Sequence, residues 1–308
     1  MQEISKKSSI PWMKILFGSI LLMILGLAIY LLSIFSGMKD TINAQMYQPI
    51  PSINQIQSEE KIAHGELINI LFIGVNTKAS NRTGSDTLII FSLDPKTDSV
   101  SMINIPRHTR ASLGSEEKED KINRAFTYGG ADLAVESIKS LLDIEIDYYI
   151  QLDLAGIAEL IDGIGGLTIH NELSIEADDF QVSPGELHLS GAKALRYVEM
   201  LYQYQGEDLD QAELQQQVFE TIMTKLTTSL TINKVEVIAS FLGENIITNI
   251  DYDNVEQLVR NYSSVGGNIS DYTLDGTEEI IDDEYYFIVP DSEIKKVQQL
   301  IVNPDTEI

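Results

Sequence analysis

The chain of 308 residues has no cysteine, one tryptophan and far fewer basic than acidic residues. The absence of cysteine excludes a disulfide scaffold, a thiolate zinc site, a thiol nucleophile and an iron–sulfur centre. With 21 Lys and Arg against 47 Asp and Glu, the formal net charge is -26. An acid excess of this size argues against general binding to DNA or RNA, so no nucleic-acid partner is expected. The hydrophobic fraction of 44% is nevertheless that of a globular protein.

Several motifs that would identify common enzymes are also missing. There is no Walker-type G-x-x-x-x-G-K-[ST] sequence and no G-x-S-x-G elbow, which disfavours a P-loop nucleotidase and an ordinary serine hydrolase. The histidines are scattered without H-x-x-x-H spacing, so a histidine-based metal site is not expected. They are His64, His108, His170 and His188.

One long apolar run lies near the N-terminus. Residues 15–35 form 21 consecutive uncharged positions, about the length of helix that crosses a ~30 Å hydrocarbon core. Lys6, Lys7 and Lys14 precede it, so the positive-inside rule predicts that residues 1–14 are cytoplasmic and that the chain after the run is extracellular. The run predicts an uncleaved single-pass anchor in the plasma membrane. A cleaved signal peptide is the alternative.

The remainder predicts a stalk and one folded domain. Residues 36–66 are polar, contain Pro49 and Pro51, and predict an irregular stalk. Apolar runs at 68–75, 86–93 and 100–105 predict strands buried on both faces, which need helices on each side. Helical and strand patterns then alternate to the C-terminus. We therefore expect an α/β fold, a single mixed β-sheet between helix layers, as one extracellular domain over 67–303 with a tail at 304–308. Further helices are predicted at 131–142, 154–161, 191–202, 209–230, 234–242, 254–262 and 291–301, and further strands at 146–152, 167–169, 245–250 and 284–289.

Polar residues cluster at the ends of the first three predicted strands. Asn76 and Lys78 follow the first strand, Asp86 opens the second, and Arg107 and Arg110 follow the third. Strand ends on a rigid sheet are where α/β proteins usually build sites. Arg107 suits a phosphate, and Asp86 suits a magnesium ion that bridges phosphate oxygens. The alternative is that Asp86 caps a turn and Arg107 pairs with a surface acid.

A second polar patch precedes a predicted helix. Lys121, Asn123 and Arg124 come shortly before Gly129 and Gly130, after which the helical pattern begins. A helix N-terminus at this position could receive an anion. A simple helix start is the alternative.

The order of these blocks resembles the extracellular domain of the LytR-CpsA-Psr family. The resemblance is carried by ILFIGVNTK, SDTLIIFSLDPKTDSVSMINIPRHTR, KINRAFTYGG, IDYYIQLDLAGIAELIDGIGGLTI, LSGAKALRYVEM and LQQQV. It covers about residues 67–303 and rests on several ordered motifs. The N-terminal anchor is also similar to that of the family.

The resemblance implies a fold with a deep apolar tunnel for a polyprenyl chain and an activity in cell-wall assembly. Such proteins move an anionic glycopolymer, for example wall teichoic acid or capsule, from polyprenyl pyrophosphate onto a muramic acid hydroxyl of peptidoglycan. Mg²⁺ and arginines hold the pyrophosphate at the tunnel mouth. By resemblance, Asp86 and Arg107 are catalytic, and Asp86 with Asn76 would hold the metal. The substrate-binding residues implied are Lys78, Arg82, Arg110, Lys121, Asn123, Arg196 and Gln215.

The chain departs from the family pattern at eight positions, all of which carry an aspartate or an arginine in the family. Asn76 replaces an aspartate, Lys78 and Gly84 replace arginines, and His108 replaces the aspartate of P-R-D. Four further arginine positions are occupied by Glu199, Leu201, Gln211 and Leu214. Each charged hydrogen bond to a phosphate is worth about 1.5–3 kcal/mol, so these losses should weaken transition-state stabilisation unless other cations replace them.

Three functions remain open on the sequence. An active transferase needs a rearranged site in which other basic residues converge with Asp86 and Arg107, and a magnesium-dependent phosphatase is a variant of it. A catalytically degenerate member would bind polyprenyl phosphate and regulate wall assembly, beside active paralogues. An envelope scaffold would have a filled core and no lipid site.

Overall fold

Strands and helices alternate along the chain, as the apolar patterns predict. The structure is a computed structural model that describes residues 42–76, 84–114, 119–171, 174–177, 180–203, 221, 225, 240–263, 265 and 268–302. The strands are β1 (Ile68–Val75), β2 (Thr87–Asp94), β3 (Ser99–Asn104), β4 (Arg110–Ser112), β5 (Glu119–Lys121), β6 (Tyr148–Asp153), β7 (Leu167–Asn171), β8 (Ile175–Ala177), β9 (Phe180–Val182), β10 (Gly185–Leu189), β11 (Ile246–Thr248), β12 (Asn268–Thr273), β13 (Thr277–Ile281) and β14 (Glu284–Ile288). The helices are α1 (Gln55–His64), α2 (Arg124–Leu142), α3 (Gly156–Gly163), α4 (Gly191–Gln203), α5 (Tyr252–Tyr262) and α6 (Asp291–Val302).

The central sheet is mixed and has the strand order β11-β6-β1-β2-β3-β12. β1, β2 and β3 are antiparallel neighbours, whereas β6 is parallel to β1 and β12 is parallel to β3. Parallel neighbours need crossover connections, and helices supply them. Small two-stranded sheets, β4-β5 and β13-β14 among them, lie outside this sheet.

Helices cover both faces of the sheet. Alternate residues of β1 point to opposite faces, so that Ile70 and Phe72 join one core and Leu71 and Ile73 join the other. Side chains of α1, α3, α4 and α5 complete the first core, and those of α2 and α6 complete the second. Every residue of β1 is buried, which is why this strand lacks polar alternation. The prediction of a mixed sheet between helix layers is confirmed for this domain.

Most predicted elements are present within a residue or two of the expected ends. β1 has the predicted bounds Ile68–Val75, and α4 and α6 each extend one residue beyond the prediction. α2 instead starts at Arg124, ahead of the predicted start at 131, and its backbone is kinked at Gly129 and Gly130. The predicted strand at 245–250 is shorter and is β11, preceded by helical residues at 240–245. The helix predicted at 209–230 falls almost wholly outside the described residues.

The segment 42–66 differs from the irregular stalk that its sequence predicts. Residues 42–46 form a π-helical turn, Tyr47 bridges to Thr248 of β11, and 55–64 form helix α1. The Asn54 side chain caps α1, and Gly65 ends it with a left-handed φ of 60°. Because α1 is short and mostly polar, its amphipathic pattern is weak, and tertiary packing fixes it against the sheet.

The packing of α1 gives a stability prediction. Ile62 is fully buried in the first core, whereas Ile56 on the same helix is 73% exposed. We expect Ile62→Ala to lower the free energy of unfolding by about 2–5 kcal/mol, because it leaves a cavity. Ile56→Ala is the matched control and should change it by less than about 0.5 kcal/mol. Urea unfolding of the full chain in detergent, followed by circular dichroism, measures both; equal effects would mean that α1 is not part of the folded core.

The predicted membrane anchor at 15–35 lies outside the described residues. Within the part of the chain that the structure describes, no helix has the length and apolar character needed to cross a membrane.

Candidate functional site

Loops from three neighbouring strands meet at one edge of the central sheet. The Asp86 amide donates to the Gly74 carbonyl at 2.8 Å, and the Ile105 amide donates to the Leu88 carbonyl at 3.0 Å. These bonds continue the antiparallel ladders just beyond the end of β1, the start of β2 and the end of β3. The polar residues at these strand ends, Asn76, Asp86 and Arg107, therefore share one edge of the sheet, as predicted.

Asp86 and Arg107 form the centre of this edge. The Arg107 Nη1 atom lies 3.9 Å from Asp86 Oδ1, and the two side chains are 54% and 46% exposed. The Arg107 Nε–H also points to His108 Nε2 at 3.2 Å. Because both side chains are half-exposed, both groups are accessible to a ligand. An ion pair this long and exposed contributes little to stability. Asn76 is exposed at the end of β1.

A backbone ladder fixes the second patch beside this pair. The Ser85 amide donates to the Asn123 carbonyl at 3.1 Å, and the Asn123 amide donates to the Arg107 carbonyl at 3.3 Å. Gly84 passes so close that a Cβ there would lie 2.1 Å from the Asn123 oxygen, and its φ is +124°. Gly84 is therefore a required glycine, because any side chain would break this contact.

Gly84→Ala tests the close approach. We expect it to be destabilising by more than about 2 kcal/mol and to displace Asp86 from Arg107, since backbone must move. Gly165 also has a positive φ, +88°, but open space around it, so Gly165→Ala is the matched control with a cost of about 1 kcal/mol. Urea unfolding of both variants measures the difference, and equal losses would contradict the close approach.

Three buried polar atoms around this edge have no hydrogen-bond partner within the described structure: Ser85 Oγ, His108 Nδ1 and Asn123 Oδ1. Unpaired buried polar atoms cost free energy, and native proteins keep few of them. Ser85 and His108 adjoin Asp86 and Arg107 in the chain, and the Asn123 backbone bonds to Ser85 and to Arg107. All three unpaired atoms therefore belong to residues beside the Asp86–Arg107 pair.

The nearby cations are held by carboxylates. Lys121 Nζ lies 2.9 Å from Glu284 Oε2, and Arg124 Nη2 lies 3.0 Å from the same oxygen. Arg124 also bonds Asp120 at 2.7 Å, and Arg110 pairs with Glu119. Hydrogen bonds from Lys121 and Arg124 hold the pKa of Glu284 below its ordinary value, so this carboxylate is ionised at neutral pH.

His108 is neutral at neutral pH in this setting. Burial lowers the pKa of His108, and the neighbouring charges of Arg107, Lys121 and Arg124 lower it further. Its ring makes an edge contact with Tyr285, with ring centroids 5.5 Å apart.

The structure brings together six of the predicted site residues. Asn76, Asp86, Arg107, Arg110, Lys121 and Asn123 lie at or beside the sheet edge, with Gly84 and His108 among them. Arg196 lies half-buried on α4, which also carries the departures Glu199 and Leu201. Lys78, Arg82, Gln211, Leu214 and Gln215 lie outside the described residues.

Sequence reasoning missed Glu284 and its neighbour Tyr285. Both follow a tight turn at Asp282 and Asp283, whose φ values of 52° and 63° join β13 to β14. This hairpin is held at the site by the Phe287 amide, which donates to the His108 carbonyl at 2.9 Å. Nothing local in the hairpin's sequence indicates this contact, because it joins residues far apart in the chain.

The donor chemistry of the edge fits magnesium only in part. Asp86 offers a carboxylate and Asn76 an amide oxygen, both hard oxygen donors of the kind Mg²⁺ prefers. Within the described residues there is no group of three or more His, Cys, Asp or Glu side chains that would form a resident metal cage. Mg²⁺ is commonly held by one or two carboxylates together with substrate phosphates, and this edge fits that arrangement.

The mixed sheet between helix layers, with an acid and an arginine side by side at its strand ends, defines a layered α/β protein. Residues 34–302 match the LytR_cpsA_psr family, and the chain belongs to that family.

Curated relatives and solved structures agree with this assignment. A polyisoprenyl-teichoic acid–peptidoglycan teichoic acid transferase TagU of Halalkalibacterium halodurans is 30% identical over 289 residues, which are 92% of this chain and 94% of the relative. The TagU of Bacillus cereus is 30% identical over 290 residues, with 93% and 94% covered. The structure of B. subtilis TagV superposes with a TM-score of 0.55 at 29% identity, covering 77% of this chain and 96% of TagV.

Proposed function

We propose that this chain is a glycopolymer transferase of cell-wall assembly, which moves an anionic glycopolymer from polyprenyl pyrophosphate onto peptidoglycan. The observation that carries the proposal is the half-exposed Asp86–Arg107 pair at the sheet edge, with unpaired buried polar atoms on the neighbouring residues Ser85 and His108. Relatives that share about 30% identity over nearly the whole chain are named as teichoic acid transferases to peptidoglycan.

The reaction needs charge stabilisation more than covalent chemistry. A peptidoglycan hydroxyl attacks the phosphorus next to the glycopolymer, a phosphodiester bond forms, and the bond to the second phosphate breaks to release polyprenyl phosphate. Arg107 neutralises the charge that develops on the phosphate oxygens, and Asp86 is placed to accept the hydroxyl proton or to hold a cation. A magnesium ion at Asp86 and Asn76, when bound, would neutralise phosphate charge at the same edge.

The substrate and the location follow from the same proposal. The polyprenyl chain would enter an apolar tunnel of the domain, and peptidoglycan would supply the acceptor. The run at 15–35 would anchor the chain in the plasma membrane as a single pass, with the N-terminus cytoplasmic and the C-terminal domain extracellular. Paralogous family members are the expected neighbours, and nucleic acid is not a partner.

A second candidate is a catalytically degenerate member that binds polyprenyl phosphate as a regulator or scaffold. It is favoured by the carboxylates that hold Lys121, Arg124 and Arg110, which leave fewer cations for a pyrophosphate. The glutamate at position 199, where the family has an arginine, favours it too.

A transfer assay separates the two candidates. The full chain in detergent is incubated with a radiolabelled, polyprenyl-pyrophosphate-linked glycopolymer, purified peptidoglycan and Mg²⁺. The transferase proposal predicts label in the insoluble peptidoglycan and release of polyprenyl phosphate. Release of polyprenyl phosphate without label in peptidoglycan would identify a phosphatase, and neither product would favour the degenerate member.

A further inference from the structure

A carboxylate of the chain occupies the position between two cations of the site. Glu284 accepts from Lys121 at 2.9 Å, and from Arg124 at 3.0 and 3.3 Å through both of its oxygens. Carboxylate and phosphate oxygens accept the same charge-assisted hydrogen bonds from Lys and Arg. A phosphate oxygen would therefore find these two donors already engaged by Glu284.

The Lys121–Arg124 pair adjoins the anion-binding edge. Both residues flank Asn123, whose backbone bonds to Ser85 on one side and to Arg107 on the other. Lys121 and Arg124 also act electrostatically on His108, the neighbour of Arg107. A pyrophosphate bound beside Asp86 and Arg107 would lie within reach of this pair.

Glu284 can leave this position without unfolding the domain. Its side chain is 42% exposed and lies directly after the turn of the β13–β14 hairpin. The hairpin is fixed to the site three residues later, by the Phe287 amide on the His108 carbonyl. Rotation of the side chain toward solvent would free Lys121 Nζ and Arg124 Nη2, while Arg124 Nη1 stays bound to Asp120 and the hairpin stays in place.

We propose that Glu284 competes with an anionic ligand for Lys121 and Arg124. This carboxylate thereby lowers the affinity of the site for a phosphate-bearing ligand. This inference rests on the proposed function, because it takes the ligand of the edge to be a pyrophosphate. Glu284 acts through the two cations and is a regulating residue of the site, with no contact to the reacting atoms.

The test compares two Glu→Gln substitutions on one hairpin. Glu284→Gln removes the competing charge and keeps the shape. Glu279→Gln makes the same charge change at an exposed position that forms no ion pair within the described residues. Binding of inorganic pyrophosphate and of polyprenyl pyrophosphate to the full chain in detergent is measured by calorimetry with Mg²⁺. We expect Glu284→Gln to bind about tenfold more tightly than wild type, the effect of one released charge-assisted hydrogen bond, and Glu279→Gln to match wild type.

The outcomes separate this inference from the proposed function. Equal affinities of wild type, Glu284→Gln and Glu279→Gln, or weaker binding by Glu284→Gln, would overturn the competitor role, while loss of binding in Asp86→Ala would still support the pyrophosphate site. If no variant binds polyprenyl pyrophosphate, the proposed function fails.

In that case a second measurement tests the role of Glu284 by itself. The acetylation rate of Lys121 is read by mass spectrometry with and without inorganic pyrophosphate. Greater protection in Glu284→Gln than in wild type supports it, and equal protection overturns it.

Discussion

Asp86→Ala and Arg107→Ala should each reduce glycopolymer transfer by about 10²–10³-fold, the usual cost of removing one positioned charge-stabilising group. The two side chains lie 3.9 Å apart at the strand ends and are both about half-exposed, so they are held in place yet open to a ligand. Because their mutual attraction contributes little to stability, the loss should appear in turnover and ligand binding rather than in folding.

Matched residues away from the edge provide the controls. Asp94 ends the same strand, β2, at its opposite end, and Arg260 is exposed on α5. Asp94→Ala and Arg260→Ala should keep transfer within about threefold of wild type. The effects of Asp86→Ala and Arg107→Ala should not add in the double variant if both act on one phosphate group. Full transfer by Asp86→Ala would remove the edge from the reaction.

Lys61→Met should lower the free energy of unfolding by about 3–5 kcal/mol at neutral pH, because it leaves a buried charge without its partner. Lys61 Nζ lies 2.6 Å from Asp147 Oδ1, and the Asp147 side chain is only 4% exposed. The other Asp147 oxygen accepts from the Asn69 amide at 2.9 Å. This pair joins α1 to the base of β1 and β6, so its loss would also loosen the segment that the sequence presents as a stalk.

The pH dependence of this variant has a definite sign. Burial raises the pKa of Asp147, and the hydrogen bonds from Lys61 and Asn69 oppose that rise. Without Lys61 the folded-state pKa rises further above the unfolded value. The penalty of Lys61→Met should therefore grow as the pH rises through the folded pKa and shrink as the pH falls below it, where the carboxyl group becomes neutral.

Lys139→Met is the control for Lys61→Met. Lys139 pairs with Glu145 at 2.7 Å, but Glu145 is largely exposed. Lys139 also donates to the Ser52 carbonyl at 3.0 Å, so its removal should cost about 1–2 kcal/mol, less than loss of the buried pair, with little dependence on pH. Urea unfolding of the full chain in detergent across a pH series measures both variants. Equal losses for the two lysines would contradict the buried-pair account.

The fold was predictable where buried elements carry a continuous or periodic apolar pattern in the sequence. β1, β2 and β3 are recognisable because both of their faces are covered, and α4 and α6 because their apolar residues recur at helical spacing. α1 was missed because its mean hydropathy is low and only its packing against the sheet fixes it. The short strands β4, β5 and β13 were missed because a three- to five-residue strand carries little periodicity.

The positions of Asp86 and Arg107 at the strand ends were predictable, whereas the contacts of Glu284 and Gly84 were not. Strand-end chemistry and family resemblance together placed Asp86 and Arg107 at one edge of the sheet. The sequence could not indicate that Glu284 binds Lys121 and Arg124, because that contact depends on how a distant hairpin docks. Nor could it indicate that Gly84 is required by the Asn123 carbonyl, since only the packed backbone shows this contact.

We propose that the edge built on Asp86 and Arg107 recognises a pyrophosphate. The most direct test is binding of the full chain in detergent to polyprenyl pyrophosphate and polyprenyl monophosphate, each with and without Mg²⁺. We predict a magnesium-dependent preference for the pyrophosphate that Asp86→Ala and Arg107→Ala abolish. Equal, magnesium-independent binding of the two lipids, unchanged in both variants, would contradict the account.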